Sequence, residues 1–344
     1  MKTLNGALVG FGQVAQNAHA PAFRGREDFN IAAVADADPE RLRLAAAALP
    51  GVRTYPSLEA LLAAENNLDF VDLATPPWLH GKQVLAALDR GLHVLCEKPL
   101  TLSREEFRRV AARSRLRGRT VFTVHNWAYS PIWTKLRELV TSGALGEVRH
   151  VQLHALRTKP AANAGPGDWR TDAHLAGGGI LVDHGWHNLY LLRRCLNGSS
   201  AAPLQTQASF HRPTPGAAED EATVFYAFPA ATALLRLSWR AAARSNWALL
   251  QGSDAALELR DDHLLLTRGT APPQRFDFPQ KLSAGSAHPE WLSAMLPDFY
   301  DEVTDLGARG RNLEEAGFAL DLIRRAYGAG GERRSGRVLE RAPS

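Results

Sequence analysis

Through the first 125 residues, short apolar runs alternate with helical patterns, and this rhythm constrains the fold more than any other feature of the chain. Strands are expected at residues 3–9, 30–35, 52–55, 68–74, 92–96 and 120–124, with helices at 13–24, 39–49, 57–64, 79–90 and 103–116. Ser57 stands where a helix N-cap belongs, and Gly91 closes the helix before the fifth strand. The strands are apolar nearly throughout, the pattern of strands covered on both faces. Alternation of such strands with helices predicts a doubly wound α/β sheet, all parallel.

After about residue 125 the rhythm changes. A helix is expected over 132–141, a long strand over 146–156, a Pro-, Gly- and Asn-rich loop to about 178, and a helix over 180–196. Stretches of β type follow at 205–211, 222–228, 233–239, 247–251, 256–259 and 263–267, with turn residues between them. That spacing predicts a mostly antiparallel sheet, closed by helices over 289–306 and 313–327. Two domains are therefore expected, 1–125 and 126–344, which suits a chain of 344 residues.

Composition narrows the class. An apolar fraction of 45% and a charged fraction of 22% exclude a disordered chain, a collagen-like rod and a disulfide scaffold. No apolar run approaches the ~20 residues of a membrane span, and residues 1–10 read as a strand rather than a signal peptide. Cys96 and Cys195 lie far apart and read as reduced thiols, so a cytoplasmic location is expected. The formal charge is +4, but only six of the 40 basic side chains are lysine, at 2, 82, 98, 135, 159 and 281. The densest arginine run, Arg104 to Arg119, scatters around a helix, is interrupted by Glu105 and Glu106, and has no aromatic ladder. It reads as a solvated helix face, and no nucleic-acid partner is expected.

Three constellations carry chemistry. The first strand runs into Gly10-Phe11-Gly12-Gln13-Val14-Ala15, a G-x-G-x-x-A between strand and helix. The first glycine makes the tight turn, the second lets a pyrophosphate approach the backbone, and the small third position packs helix on strand. Asp36 ends the second strand, 21 residues after Ala15, where a carboxylate accepts ribose hydroxyls and repels a 2′-phosphate. NAD is therefore favoured over NADP. Arg41 keeps NADP open, since it could pair with a 2′-phosphate if Asp36 turned away. Asp36 could also be a helix N-cap, a place Asp38 could fill equally well.

The fourth and fifth strands end in Thr75-Pro76-Pro77-Trp78-Leu79-His80 and in Glu97-Lys98-Pro99. Carboxyl ends of parallel strands border the ligand crevice, so Lys98 is placed where a lysine can move a proton. The third constellation runs from Gly177-Gly178-Gly179 to Asp183-His184-Gly185-Trp186-His187. Asp183 and His187 are four apart on a helix, so the carboxylate can orient the imidazole. His184 and His187 could instead hold a metal, but no third ligand supports that, and no metal is expected.

Taken together, these motifs resemble the glucose–fructose oxidoreductase / inositol dehydrogenase (Gfo/Idh/MocA) family. The likeness extends to the Asn312-Leu313-Glu314-Glu315-Ala316 helix and to Ser335-Gly336-Arg337-Val338. The resemblance implies an N-terminal Rossmann domain and a C-terminal α+β domain with a large open sheet that makes a homodimer or homotetramer. It implies an NAD(P)-dependent oxidoreductase acting on a secondary hydroxyl or ketone of a sugar, cyclitol or related polyol. A glycosidase-like reaction with transient sugar oxidation, and a non-catalytic NAD-binding sensor, are the alternatives.

By the same resemblance Lys98, Asp183 and His187 form the catalytic group. His187 would take the hydroxyl proton, Asp183 would orient it or bind substrate, and Lys98 would stabilise the developing alkoxide. Gly10, Phe11, Gly12, Gln13, Val14, Asp36, Arg41, Thr75, Pro76, His80, Glu97, Lys98 and Asn126 would bind the cofactor. Lys98, Asn126, Trp169, Arg170, Asp183, His184 and His187 would bind substrate. Arg170 could instead pair with Asp168 or Asp172. His184 and Trp186 fall outside the family pattern and would tune substrate preference, and His19-Ala20-Pro21 is similar to some polyol-oxidising branches.

Overall fold

The computed structural model describes residues 2–160, 169–285 and 287–331. Asp168 and the Ser335–Val338 segment of the family resemblance lie outside the described residues. The first sheet comprises β1 (Leu4–Val9), β2 (Phe29–Ala35), β3 (Arg53–Tyr55), β4 (Phe70–Leu73), β5 (His93–Cys96) and β6 (Val121–Thr123). Its order is β3-β2-β1-β4-β5-β6, and every pairing is parallel. Strand order reverses between β1 and β4, so a crevice opens beyond the carboxyl ends of those strands. This is the doubly wound parallel sheet expected from the alternation, in the Rossmann order that the family resemblance implies.

The connecting helices begin where their caps dictate. In α2 (Pro39–Ala48) the Asp38 carboxylate accepts the Glu40 N–H at 2.9 Å. In α3 (Leu58–Ala64) Ser57 accepts the Ala60 N–H, and in α5 (Arg104–Arg117) Ser103 accepts the Glu106 N–H. Asp38, not Asp36, is therefore the cap of α2. α4 (Pro77–Asp89) starts on Pro77 itself, two residues before the expected start, because proline at the first helical position gives up no bond. The basic run of α5 is held by ion pairs: Arg113 and Arg117 both meet Asp89, and Arg104 meets Asp321.

The first crossover departs from the regular helix expected over 13–24. A π-helical turn, Ala15–His19, precedes α1 (Ala20–Phe23). Pro21 has no N–H to donate and its ring crowds the carbonyl four residues back, which the wider turn accommodates. The turn also buries His19 completely, beneath the carboxyl ends of the strands.

The second sheet holds β7 (Val148–Leu156), β8 (Gln205–His211), β9 (Glu221–Ala227), β10 (Thr232–Ser238), β11 (Ser245–Gly252), β12 (Ala256–Arg260), β13 (His263–Thr267) and β14 (Gln274–Asp277). The order is β14-β13-β12-β11-β7-β10-β9-β8, antiparallel except for β7 beside β10. β14 escaped the pattern reading because Phe276 is its only apolar residue, as suits an edge strand. α7 (Ile180–Cys195) and α9 (Arg311–Ala329) cover one face of this sheet. α6 (Pro131–Thr141) joins the two halves.

α8 (Pro289–Thr304) follows the second sheet in sequence but packs on the first. Leu292, Met295, Leu296 and Phe299 share a core with Phe29, Phe70 and Phe122. The Phe299 ring lies 5.4 Å from that of Phe70, and 5.6 Å from that of Phe122. A continuous stretch from residue 126 onward is thus not a single packing unit.

Candidate functional site

A cleft of about 990 Å³ runs from the carboxyl ends of the parallel strands to the N-terminal half of α7. At one end the Gly10 N–H donates to Ala35 at 2.7 Å, and its φ of +86° is a left-handed value that favours glycine. A Cβ on Gly10 would also sit 2.9 Å from the Ala74 carbonyl. Around Gly12 nothing lies closer to a notional Cβ than the Arg41 guanidinium at 4.0 Å, so its backbone is open to the cleft. This is the space a pyrophosphate needs at a helix start.

Asp36 is nearly buried and doubly anchored, accepting the Phe11 N–H at 2.6 Å and the Asp38 N–H at 2.9 Å. Its oxygens keep further lone pairs for ribose hydroxyls. Arg41 stands 3.8 Å from the same carboxylate. The alternative in which Asp36 turns away for a 2′-phosphate would break both backbone bonds. The fit is to NAD.

Gln13, Val14, Thr75, Pro76, Glu97, Lys98 and Asn126 line the cleft as expected. Phe11 and His80 do not. The Phe11 side chain is fully buried among Leu8, Ala15 and Val34, and only its backbone serves the site. His80 is also fully buried, with Nδ1 2.8 Å from the Pro99 carbonyl and Nε2 2.8 Å from that of Thr75. It ties two cleft loops together from behind.

Lys98 and Asp183 meet across the cleft. The Lys98 Nζ donates to Asp183 Oδ1 at 2.6 Å and to the Asp183 carbonyl at 3.0 Å. His184 Nδ1 lies 3.1 Å from the other carboxylate oxygen. Burial would raise the Asp183 pKa, but Lys98 and His184 outweigh it and hold the carboxyl well below its usual range. Asp183 does not orient His187, although helical spacing made that expectation reasonable. His187 Nδ1 instead lies 2.9 Å from the Tyr190 hydroxyl, and its ring stacks on Trp127 at 4.7 Å. The Trp127 ring is in turn 5.6 Å from the buried Arg157 guanidinium. Burial, then Lys98 and His184, push the His187 pKa well below the usual histidine value.

Tyr190 and Trp127 were not singled out from the sequence. Their only signals were Tyr190's place three residues beyond His187 and Trp127's beside Asn126. Trp186, expected to face substrate, is fully buried and donates its indole N–H to His125 Nε2 at 3.2 Å. His125 in turn meets Glu315 at 2.7 Å, and Glu315 accepts two bonds from Arg194. Trp169 and Arg170 line the cleft, with Arg170 4.4 Å over the Trp169 ring and Trp169 edge-on to Trp78 at 5.6 Å.

A second buried cluster backs the cleft. His19 Nδ1 lies 2.7 Å from Asp72 on β4, and Nε2 lies 3.0 Å from Glu97. Burial opposes the imidazolium, but Asp72 and then Glu97 prevail and raise the His19 pKa to about 10. Glu97 also accepts the Lys98 N–H at 3.0 Å, so this cluster fixes the backbone that carries Lys98. Among the described residues no helix is long and apolar enough to cross a membrane.

Residues 4–125 match the GFO_IDH_MocA family, described as an oxidoreductase family with an NAD-binding Rossmann fold. Residues 133–258 match the GFO/IDH/MocA C-terminal domain. The D-glucoside 3-dehydrogenase of Escherichia coli K12 is 32% identical over 185 residues, 53% of this chain and 51% of that protein. A D-xylose 1-dehydrogenase (NADP(+)) of Haloferax volcanii is 36% identical over 174 residues, 51% of this chain and 52% of its own. The chain thus spans about half the length of the curated relatives it matches. An inositol dehydrogenase homolog from Azotobacter vinelandii, solved with NAD+, superposes with a TM-score of 0.82 at 25% identity, over 96% of each chain. With both domains matched and the glycine turn, Asp36 and the Lys98 crevice in place, the chain belongs to the GFO/IDH/MocA family of NAD-binding oxidoreductases.

Proposed function

We propose that the protein is an NAD-dependent dehydrogenase or reductase, working between a secondary hydroxyl and the ketone of a sugar, cyclitol or related polyol. The observation that carries this reading is the Lys98–Asp183 pair at 2.6 Å, set beside His187 in the cleft that also holds Gly10, Gly12 and Asp36. Bound nicotinamide supplies the two-electron chemistry. Lys98 and His187 hold the reacting oxygen and stabilise the charge that develops on it. Asp183 keeps the Lys98 head group in place. Names of the relatives, which act on glucosides and xylose, support a carbohydrate substrate.

The test is a panel of sugars, inositols and anhydrosugars followed by nicotinamide absorbance. Turnover on a polyol with net NADH formation or consumption supports the reading, and aglycone release without net NADH refutes it in favour of transient oxidation. Tight NAD binding without turnover of any panel member also overturns it.

Two expectations follow for the cofactor and the assembly. Asp36→Ala should lower kcat/KM for NAD by about 30-fold, since charge-assisted hydrogen bonds contribute ~2 kcal/mol, and should raise the NADP-to-NAD ratio. An unchanged ratio would remove Asp36 from ribose recognition. The face of the second sheet away from α7 and α9 carries half-buried Phe225 opposite Leu234, and Leu249 and Leu265 in line with them across Gln152 and Glu258, with Trp247 beside this row. Such an apolar patch supports pairing with a second copy of this chain. Sedimentation should give a multiple of 37.5 kDa, and a monomer would refute it.

A further inference from the structure

Tyr190 is fully buried, and its hydroxyl has two neighbours among the described residues. The Trp127 N–H, which can only donate, reaches it at 3.1 Å, and His187 Nδ1 lies 2.9 Å away. The phenolic hydrogen therefore has one acceptor within reach, the Nδ1 lone pair of His187. His125 stacks on the Tyr190 ring at 4.1 Å but offers no alternative. Its Nε2 accepts from Trp186 and its Nδ1 donates to Glu315. If Nδ1 of His187 carried a hydrogen, two donors would converge on the Tyr190 oxygen and the buried phenolic O–H would be left unmade, a costly arrangement.

From this we infer that Tyr190 is a positioning residue that holds His187 neutral with its hydrogen on Nε2, so that His187 donates a hydrogen bond to the substrate oxygen and the hydroxyl proton passes to Lys98. The inference rests on the hydride-transfer reading of the cleft and changes the role of His187 within it. His187 lines the cleft, and its Nε2 has no partner among the described residues, so it is this nitrogen that is left for substrate. The charged and titratable groups around the ring are Lys98, His184, Asp183, His125 and Tyr190. Burial disfavours the doubly protonated ring, and Lys98, His184 and His125, all three cationic or able to become so, add to it and outweigh Asp183. A neutral imidazole that donates from one nitrogen is an effective electrophile toward a carbonyl or alkoxide.

The proton count closes without His187. In oxidation the substrate C–H bond breaks and its electron pair leaves with the hydrogen as hydride, which bound NAD+ would accept. The O–H bond breaks, its electron pair completes the C=O bond, and the proton goes to Lys98 after its ammonium has released one proton to solvent. The resulting ammonium is the species that Asp183 holds at 2.6 Å. In reduction the Lys98 ammonium returns that proton to the oxygen. His187 keeps its own hydrogen throughout.

The tautomer can be read without substrate. In full-length protein carrying 15N-histidine, two-bond 1H–15N spectra at neutral pH should show His187 protonated on Nε2 alone, the signal being assigned by its loss in His187→Gln. Tyr190→Phe should shift that signal toward a mixture of tautomers. In turnover of the best polyol of the panel, His187→Gln, whose amide donates but takes no proton, should retain about a tenth of the wild-type kcat. His187→Ala should lose about 10²–10³-fold. A wild-type ring protonated on Nδ1, or His187→Gln as inactive as His187→Ala, would overturn the inference. Absence of turnover on every polyol would instead refute the hydride-transfer reading, while the spectra still decide the tautomer.

Discussion

Lys98→Met should lower kcat at least about 10³-fold, a loss of ~4 kcal/mol in transition-state stabilisation, while NAD affinity stays within a fewfold of wild type. Lys98 is the only lysine lining the cleft among the described residues. Its side chain is 17% exposed, enough to meet a ligand but too little to leave its charge in bulk water. It enters the cleft from the end of β5, whereas Gly10, Gly12 and Asp36 sit at the ends of β1 and β2, so the adenosine half of the cofactor site stays intact. Methionine keeps most of the stem and removes the ammonium, with its charge and its hydrogen-bond donors.

The cost in stability should be small beside the loss of rate. Asp183 loses its strongest partner, but it is 22% exposed and keeps His184 at 3.1 Å. Steady-state kinetics, NAD titration by fluorescence and a thermal melt separate these effects. Wild-type turnover in Lys98→Met would remove the lysine from the mechanism.

The second large effect is on folding. His19→Leu should destabilise the protein by roughly 3–5 kcal/mol, the range for breaking a buried ion pair by removing one partner. His19 and Asp72 are both fully buried, and Glu97 closes the other side of the imidazole. Without the imidazolium, two carboxylates face each other under the sheet with no cation between them. Wild-type stability should carry the same signature against pH.

The folded-state pKa of His19, about 10, lies above the ordinary value of 6.5. The folded state therefore holds its proton more tightly than the unfolded chain does. This contribution is complete below about pH 6.5 and is lost as pH rises through 10. Guanidinium denaturation at intervals across that window should show a steady fall in wild-type stability and a much flatter curve in His19→Leu. Parallel curves would mean that His19 folds neutral. Because Glu97 also accepts the Lys98 N–H, the variant should lose kcat as well.

Much of the first domain was legible because its elements are local. Five of the six parallel strands show as largely apolar runs, the short β3 shows by its place in the alternation, and β8 and β13 match the expected spans. Ser57 caps α3 as its position implied. The misses share a cause. β14 is a polar edge strand whose pairing with β13 supplies what its side chains do not. The π turn at Ala15–His19 answers Pro21 and a buried ion pair that reaches to Asp72, 53 residues away. α8 looks like any amphipathic helix, and nothing in its own pattern says that its apolar stripe meets Phe29 and Phe70 rather than the sheet that precedes it.

The candidate site divides along the same line. Gly10, Gly12, Asp36 and Lys98 were readable because each stands at a fixed offset from the end of a parallel strand, and the topology of such a sheet brings those ends together. The i, i+4 spacing of Asp183 and His187 correctly put both on the cleft side of one helix but misassigned their partners. Asp183 belongs to Lys98, 85 residues earlier, and His187 to Tyr190 and Trp127.

The period of each segment, the glycine turn and the set of polar groups near the crevice are written in the amino-acid order. Which polar group meets which depends on packing between distant segments. A buried donor or acceptor takes whichever partner lies within about 3 Å in the packed core. That distance is set by strands and helices far apart in the chain, not by neighbours along it.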